Sequence, residues 1–157
     1  MAKKNNSMIA KLIMLVVAGL GFLTFIMPIT ALTIGKSTTN TNGSDFLKEF
    51  GEKALLESEA LASARIALQY IILFALIAFG ILCVLAVLSF IFEGLSVKLS
   101  KVVAVVAVLL SIAAIICGYI YVGKVDTSSF ALGFGPWYLL IISAVHAIVT
   151  FFAFRKW

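Results

Sequence analysis

Four stretches of this chain, residues 12–35, 66–92, 102–123 and 127–154, contain no Asp, Glu, Lys or Arg. A hydrocarbon core of ~30 Å takes ~20 apolar residues at ~1.5 Å each, and all four stretches reach that length. Lipid offers no partner to an unpaired backbone N–H or C=O, so such runs must close their hydrogen bonds internally, as helices. Barrel strands would alternate apolar and polar residues, which these runs do not. The expected fold is therefore an all-α integral membrane protein, a four-helix transmembrane bundle forming one domain over residues 1–157. Spans are expected at about 12–31, 66–92, 102–122 and 136–154, outer loops at about 32–65 and 123–135, and an inner loop at about 93–101. With 12% charged residues the chain falls well short of the roughly 25% of a soluble domain.

The charges orient the bundle. Lys3, Lys4, Lys11, Lys98, Lys101, Arg155 and Lys156 share the N-terminal, inner-loop and C-terminal segments with one acid, Glu93, a net +6. The other two loops carry a net −1, and the excess of Lys and Arg marks the cytoplasmic side, giving an N-in/C-in protein with an extracytoplasmic cap. Tyr70, Tyr119, Tyr121, Trp137 and Tyr138 fall near the ends assigned outside, where aromatic belts lie, and Trp157 falls at the inner edge. The formal charge of +5 thus reports topology, not nucleic-acid binding. Lys3, Lys4 and Lys11 before an apolar run also resemble the start of a cleaved signal peptide. Bulky Ile29 two residues before a candidate site at Ala31 argues instead for a retained span. Multi-pass insertion in the plasma (cytoplasmic) membrane is the expected location. Cys83 and Cys117 both lie inside spans, which excludes a disulfide-stapled exterior.

Within the first outer loop, residues 29–34 mix β-branched side chains in the manner of a short strand, and residues 35–44 read as a polar turn. Pairing of 29–34 with 127–132 would make a small outer sheet. Ser44 or Asp45 would cap an amphipathic helix resting on the outer ends of the bundle or on the lipid interface, with Phe46, Leu47 and Phe50 as the apolar face offered for contact, continuing toward the second span. Asn42-Gly43-Ser44 fits the glycosylation acceptor pattern and equally a turn. Residues 93–96 read as a tight inner turn, and Pro136 as the first position of the last helix.

His146 is the only histidine and the one clearly ionisable side chain at membrane depth. Ser111, Gly21 and Gly80 are expected near its level with Cys83 about a turn away, a candidate midplane polar cluster. Its functional readings are a proton relay, a ligand contact or, with Cys83, a soft-metal site; its structural reading is a neutral histidine bonded to Ser111 or a backbone carbonyl. No span supplies Asp, Glu, Lys or Arg to complete a relay, and three ligands on three helices at unmatched depths make no metal motif, so neither metal nor cofactor is expected. Ala107/Ser111, Ala114/Gly118 and Ser143/Ala147 are small pairs that let helices approach closely, within the monomer or in a homo-oligomer.

Four spans with both ends inside and a longer first outer loop give a layout similar to claudin-like tetraspan proteins. The first-loop Trp and paired Cys of claudins are missing between Pro28 and Arg65, as is the Cys-Cys-Gly of tetraspanins, and the first span lacks the glutamate of compact four-span drug exporters. The chain also has no Cys-x-x-Cys, His-Glu-x-x-His, intramembrane aspartate pair or phosphate-cradling glycine loop. The expected function is non-enzymatic: an accessory subunit, scaffold or immunity-type protector that contacts a membrane or extracytoplasmic protein through its outer loop. A homo-oligomeric channel or small-solute transporter with His146 on the path is the alternative, and a membrane enzyme with His146 as base the third.

Overall fold

A computed structural model describes residues 2–34, 37–48, 59–124 and 130–155. In chain order these form α1 (Ala2–Leu20), a 3-10 turn (Gly21–Phe25), β1 (Pro28–Ile34), β2 (Ser37–Asn42), α2 (Gly43–Lys48), α3 (Glu59–Leu88), α4 (Glu93–Lys124), β3 (Phe130–Leu132) and α5 (Gly135–Ala153). Four helical segments are long and apolar enough to cross a membrane, Ser7–Phe25, Ala62–Leu88, Glu93–Lys124 and Gly135–Ala153, so by length and composition this is a multi-pass membrane protein. Its helices form a square bundle: α1 and α4 each pack against both α3 and α5, leaving α1/α4 and α3/α5 as diagonals.

The packing follows from where the small residues stand. On α4, Ser96, Ser100, Ala104, Ala107, Ser111, Ala114 and Gly118 are buried, a face repeating every three or four residues. Backbones can approach along such a face, and dispersion and close fit replace the hydrophobic effect that lipid removes. Large side chains interlock around it, chiefly Leu68, Ile72, Phe79 and Leu82 of α3 and Leu139 of α5. Ala10 and Met14 of α1, Ala86, Val97 and Phe154 make a second cluster at the end where α3 turns into α4. Ala107/Ser111 and Ala114/Gly118 thus face the monomer's own interior.

At the opposite end sits a three-stranded sheet in the order β2-β1-β3, antiparallel throughout. Thr30, Ala31 and Leu32 pair with Leu132, Ala131 and Phe130, joining the two segments expected to pair. Pro28, which lacks an N–H, stands at the first residue of β1, where the ladder tolerates it. Buried Ile29 anchors the sheet in the bundle core.

Four expectations need correction. Residues 37–42 form β2, not a polar turn, with Leu32 opposite Thr39 and Ile34 opposite Ser37, so the fold is mostly helical but not all-α. Thr is β-branched, and an edge strand needs no apolar face of its own once a neighbour supplies pairing. The inner loop at 93–101 is helix, because α4 starts at Glu93 and the turn is residues 89–92. A carboxylate in a first turn complements the helix dipole, and Lys98 and Lys101 are good helix formers, so the helix does not stop where the apolar run does. The first helical segment long and apolar enough to cross is Ser7–Phe25, which ends before β1, so helix does not continue to residue 31. Finally, α2 starts at Gly43, which puts Ser44 and Asp45 inside its first turn instead of at its cap. Its continuation toward α3 and residues 127–129 of the expected outer strand lie outside the described residues.

Candidate functional sites

α2 is a plug. Phe46 is 6% exposed and belongs to the core cluster with Ile29, Leu68 and Ile72. Its ring meets Tyr121 of α4 edge-on, centroids 6.2 Å apart. Gln69 Nε2, on a side chain buried in α3, donates to the Phe46 carbonyl at 2.7 Å. That carbonyl is among the last four of α2, which have no partner inside so short a helix, and the bond meets part of the hydrogen-bonding demand of an amide buried in an apolar wall. Leu47 packs half-buried against the same cluster. The expectation of an outward contact face is corrected for Phe46 and Leu47, whose apolar surface closes the bundle's own end; Phe50 lies outside the described residues.

Among the described residues, no hydrogen bond joins Ser111, His146 and Cys83, the expected midplane residues, to one another. Ser111 Oγ donates to the Ala107 carbonyl at 2.7 Å and lies 3.2 Å from Ser143 Oγ across the α4–α5 contact. His146 turns instead to its own helix: its Nδ1 is 3.3 Å from Thr150 Oγ1, which donates to the His146 carbonyl at 2.7 Å. A hydroxyl carries a single proton, so Thr150 gives it to the carbonyl or to Nδ1, and the ring donates to Thr150 only in the Nδ1–H tautomer. Nε2 is fully buried and has no hydrogen-bond partner among the described residues. Cys83 is on α3, diagonal to α5, and no group of three metal-ligating side chains occurs among the described residues. The room expected at Gly21 is taken by Phe79, whose ring lies 2.5 Å from where a Cβ on Gly21 would stand.

Ser143, His146 and Thr150 share the buried face of α5 at spacings of three and four, a pattern visible in the sequence that singling out His146 alone passes over. Gln69 is equally visible as an amide within an apolar run.

The remaining polar chemistry is at the two ends. At the turn end, Lys11 Nζ meets Glu93 Oε2 at 3.2 Å, and Ser7 Oγ donates to Glu93 Oε1 at 3.3 Å, tying α1 to the start of α4. Lys101 Nζ donates to the Phe154 carbonyl at 2.6 Å and caps the end of α5. At the sheet end Ser37, Thr38, Thr39 and Asn40 of β2 are all exposed.

No family model, curated protein or solved structure matches this chain.

Proposed function

We propose that the chain is a non-enzymatic tetraspan protein of the plasma (cytoplasmic) membrane, with both termini in the cytoplasm, that acts by pairing β2 with an extended segment of a partner protein outside. The orientation is supported by Lys11, Lys98, Lys101 and Arg155 at the turn end and by Tyr70, Tyr119, Trp137 and Tyr138 toward the sheet end.

The observation that carries the contact role is the outer edge of the sheet. β2 is its outer strand, and among the described residues no further strand pairs with its far side. A row of N–H and C=O groups left without a strand is a template for another one, and edges not meant to pair are usually blunted by Lys, Pro or short length. Residues 37–42, Ser-Thr-Thr-Asn-Thr-Asn, contain neither charge nor proline, and six residues span about 20 Å. The contact surface proposed is therefore this edge in place of Phe46 and Leu47.

In a background lacking Cys83 and Cys117, a cysteine at Ser37 should react with a membrane-impermeant maleimide on intact cells, and one at Lys98 should not. A photocrosslinking residue at Thr39 should yield a discrete adduct that Asn40→Lys removes, while Asn40→Lys leaves expression unchanged. Labelling of the Lys98 position alone would reverse the orientation. An adduct insensitive to Asn40→Lys, or none, would remove the edge-pairing role.

One observation favours a second reading, a homo-oligomeric channel or small-solute transporter: Nε2 of His146 is buried with no hydrogen-bond partner among the described residues, a polar atom able to meet a passing solute. That reading requires flux through reconstituted protein whose pH dependence disappears in His146→Ala. A monomer that stays silent in liposomes excludes it.

A further inference from the structure

We infer that the groove between α4 and α5 at the turn end is a site for one anionic phospholipid, its phosphate on Lys98 and Lys101 and an acyl chain along the valines beyond them. This groove, about 510 Å³, is lined by Lys98, Lys101, Val102, Val105, Val106 and Phe151. The order of those residues carries the argument. Lys98, Lys101, Val102 and Val105 lie three or four apart, forming one stripe of α4, and Val106 stands about 12 Å further along the helix than Lys98. Cations at the mouth and branched apolar side chains deeper in reproduce the polarity profile of a phospholipid.

Both cations are available to such a head group. Lys101 is held at the mouth by the Phe154 carbonyl and by the Phe151 ring, 5.4 Å from its Nζ. An ammonium has three donors, so one given to a carbonyl leaves two for a phosphate oxygen. Lys98, one turn nearer the helix start, is exposed. Glu93 is the only acid at this end among the described residues, and it is engaged by Lys11 and Ser7. The groove between α1 and α5 at the same end, about 420 Å³, is lined by apolar residues such as Ile13 and Phe152; among the described residues no cation lines it, Arg155 only covering the outer Phe152 ring at 5.3 Å, so it serves as an internal comparison. A basic pocket between membrane helices is the setting in which anionic head groups are selected over zwitterionic ones. This inference concerns the end opposite the β2 edge and stands whether or not that edge binds a partner.

The test is lipid retention by the full chain, read by native mass spectrometry after extraction from bilayers of equal parts phosphatidylglycerol and phosphatidylcholine. The wild type should retain one phosphatidylglycerol in preference to phosphatidylcholine. Lys98→Gln, which breaks no hydrogen bond or ion pair among the described residues, should lower that preference about five-fold, and Lys98→Gln with Lys101→Gln about thirty-fold, from roughly 1 kcal/mol per basic residue. Val105→Trp, which fills the groove and spares both lysines, should lower total retention. Arg155→Gln removes the same charge at the same end outside the groove and should change neither. Equal retention of the two lipids by the wild type, or losses in Arg155→Gln as large as in Lys98→Gln, would overturn the site in favour of diffuse attraction to charge.

Discussion

Phe46→Ala is expected to loosen the sheet end of the bundle by about 3–5 kcal/mol, the cost of emptying a buried phenylalanine site. The ring fills space between α2, α3 and α4, touches Tyr121 edge-on, and holds α2 where its carbonyl can receive Gln69 Nε2. Losing it leaves a cavity and also weakens the hydrogen bond from a buried amide, so the penalty should fall at the upper part of that range. Phe46→Leu retains most of the volume and should cost no more than about 1.5 kcal/mol. Hydrogen exchange resolves the effect locally: amides of α2 and β2 should lose protection in the alanine variant while those of α5 keep theirs. A Phe46 that served a partner instead would behave oppositely, with exchange in the isolated protein unchanged by alanine.

The second large effect belongs to Gly133→Val. Gly133 N–H donates to the Ile29 carbonyl at 2.7 Å, so the chain passes directly against β1 as it leaves β3 for α5. A Cβ here would collide with the Pro28 carbonyl oxygen, and would lie 2.6 Å from the Pro28 carbonyl carbon. Those are backbone atoms of a paired strand and cannot rotate aside, so β3 must part from β1 or the start of α5 must shift. Either way the pairing of Thr30 with Leu132 and the seat of Leu132 over Gly118 are disturbed. A cost of about 3 kcal/mol, at the top of the usual range for overpacking, corresponds to a fall in melting midpoint on the order of 10 °C for a chain of this size. Ala131→Val, at an exposed position two residues earlier, should leave the midpoint within about 2 °C. A Gly133→Val protein melting with the wild type would mean that the contact between β1 and the segment before α5 contributes little to stability.

The candidate sites are less legible in the sequence than the spans, and the reason differs from residue to residue. Depth along a helix can be counted from a sequence, which is how Ser111 and His146 come out at a similar level; the direction each side chain takes around its helix cannot be counted until its neighbours are known. Ser111 faces Ser143, and His146 faces Thr150. Phe46 reads as a contact residue because an apolar side chain in a polar loop looks unpartnered, whereas its partners, Gln69 and Tyr121, are 23 and 75 positions away. The groove at Lys98 and Lys101 is hidden for another reason: both residues read as loop, and only as helix do they line up with Val102 and Val105.

What the sequence determined by itself is the solvent and the presence of four helices long and apolar enough to cross a membrane, since a charge inside a span costs kilocalories and a charge-free apolar run of about 20 residues has the length of a bilayer core. It also placed the starts of β1 and α5 to within a residue, expected at Ile29 and Pro136 and found at Pro28 and Gly135, because the two prolines act through their own rings on the local backbone. Tertiary structure alone decided that Ser37–Asn42 is a strand, that α2 folds inward, and that α3 and α5 stand diagonally apart. Each of those outcomes rests on a hydrogen bond or a contact made by a distant segment. In the membrane, where apolar burial no longer discriminates one helix face from another, the fit of small α4 residues against large neighbours is what selects the arrangement.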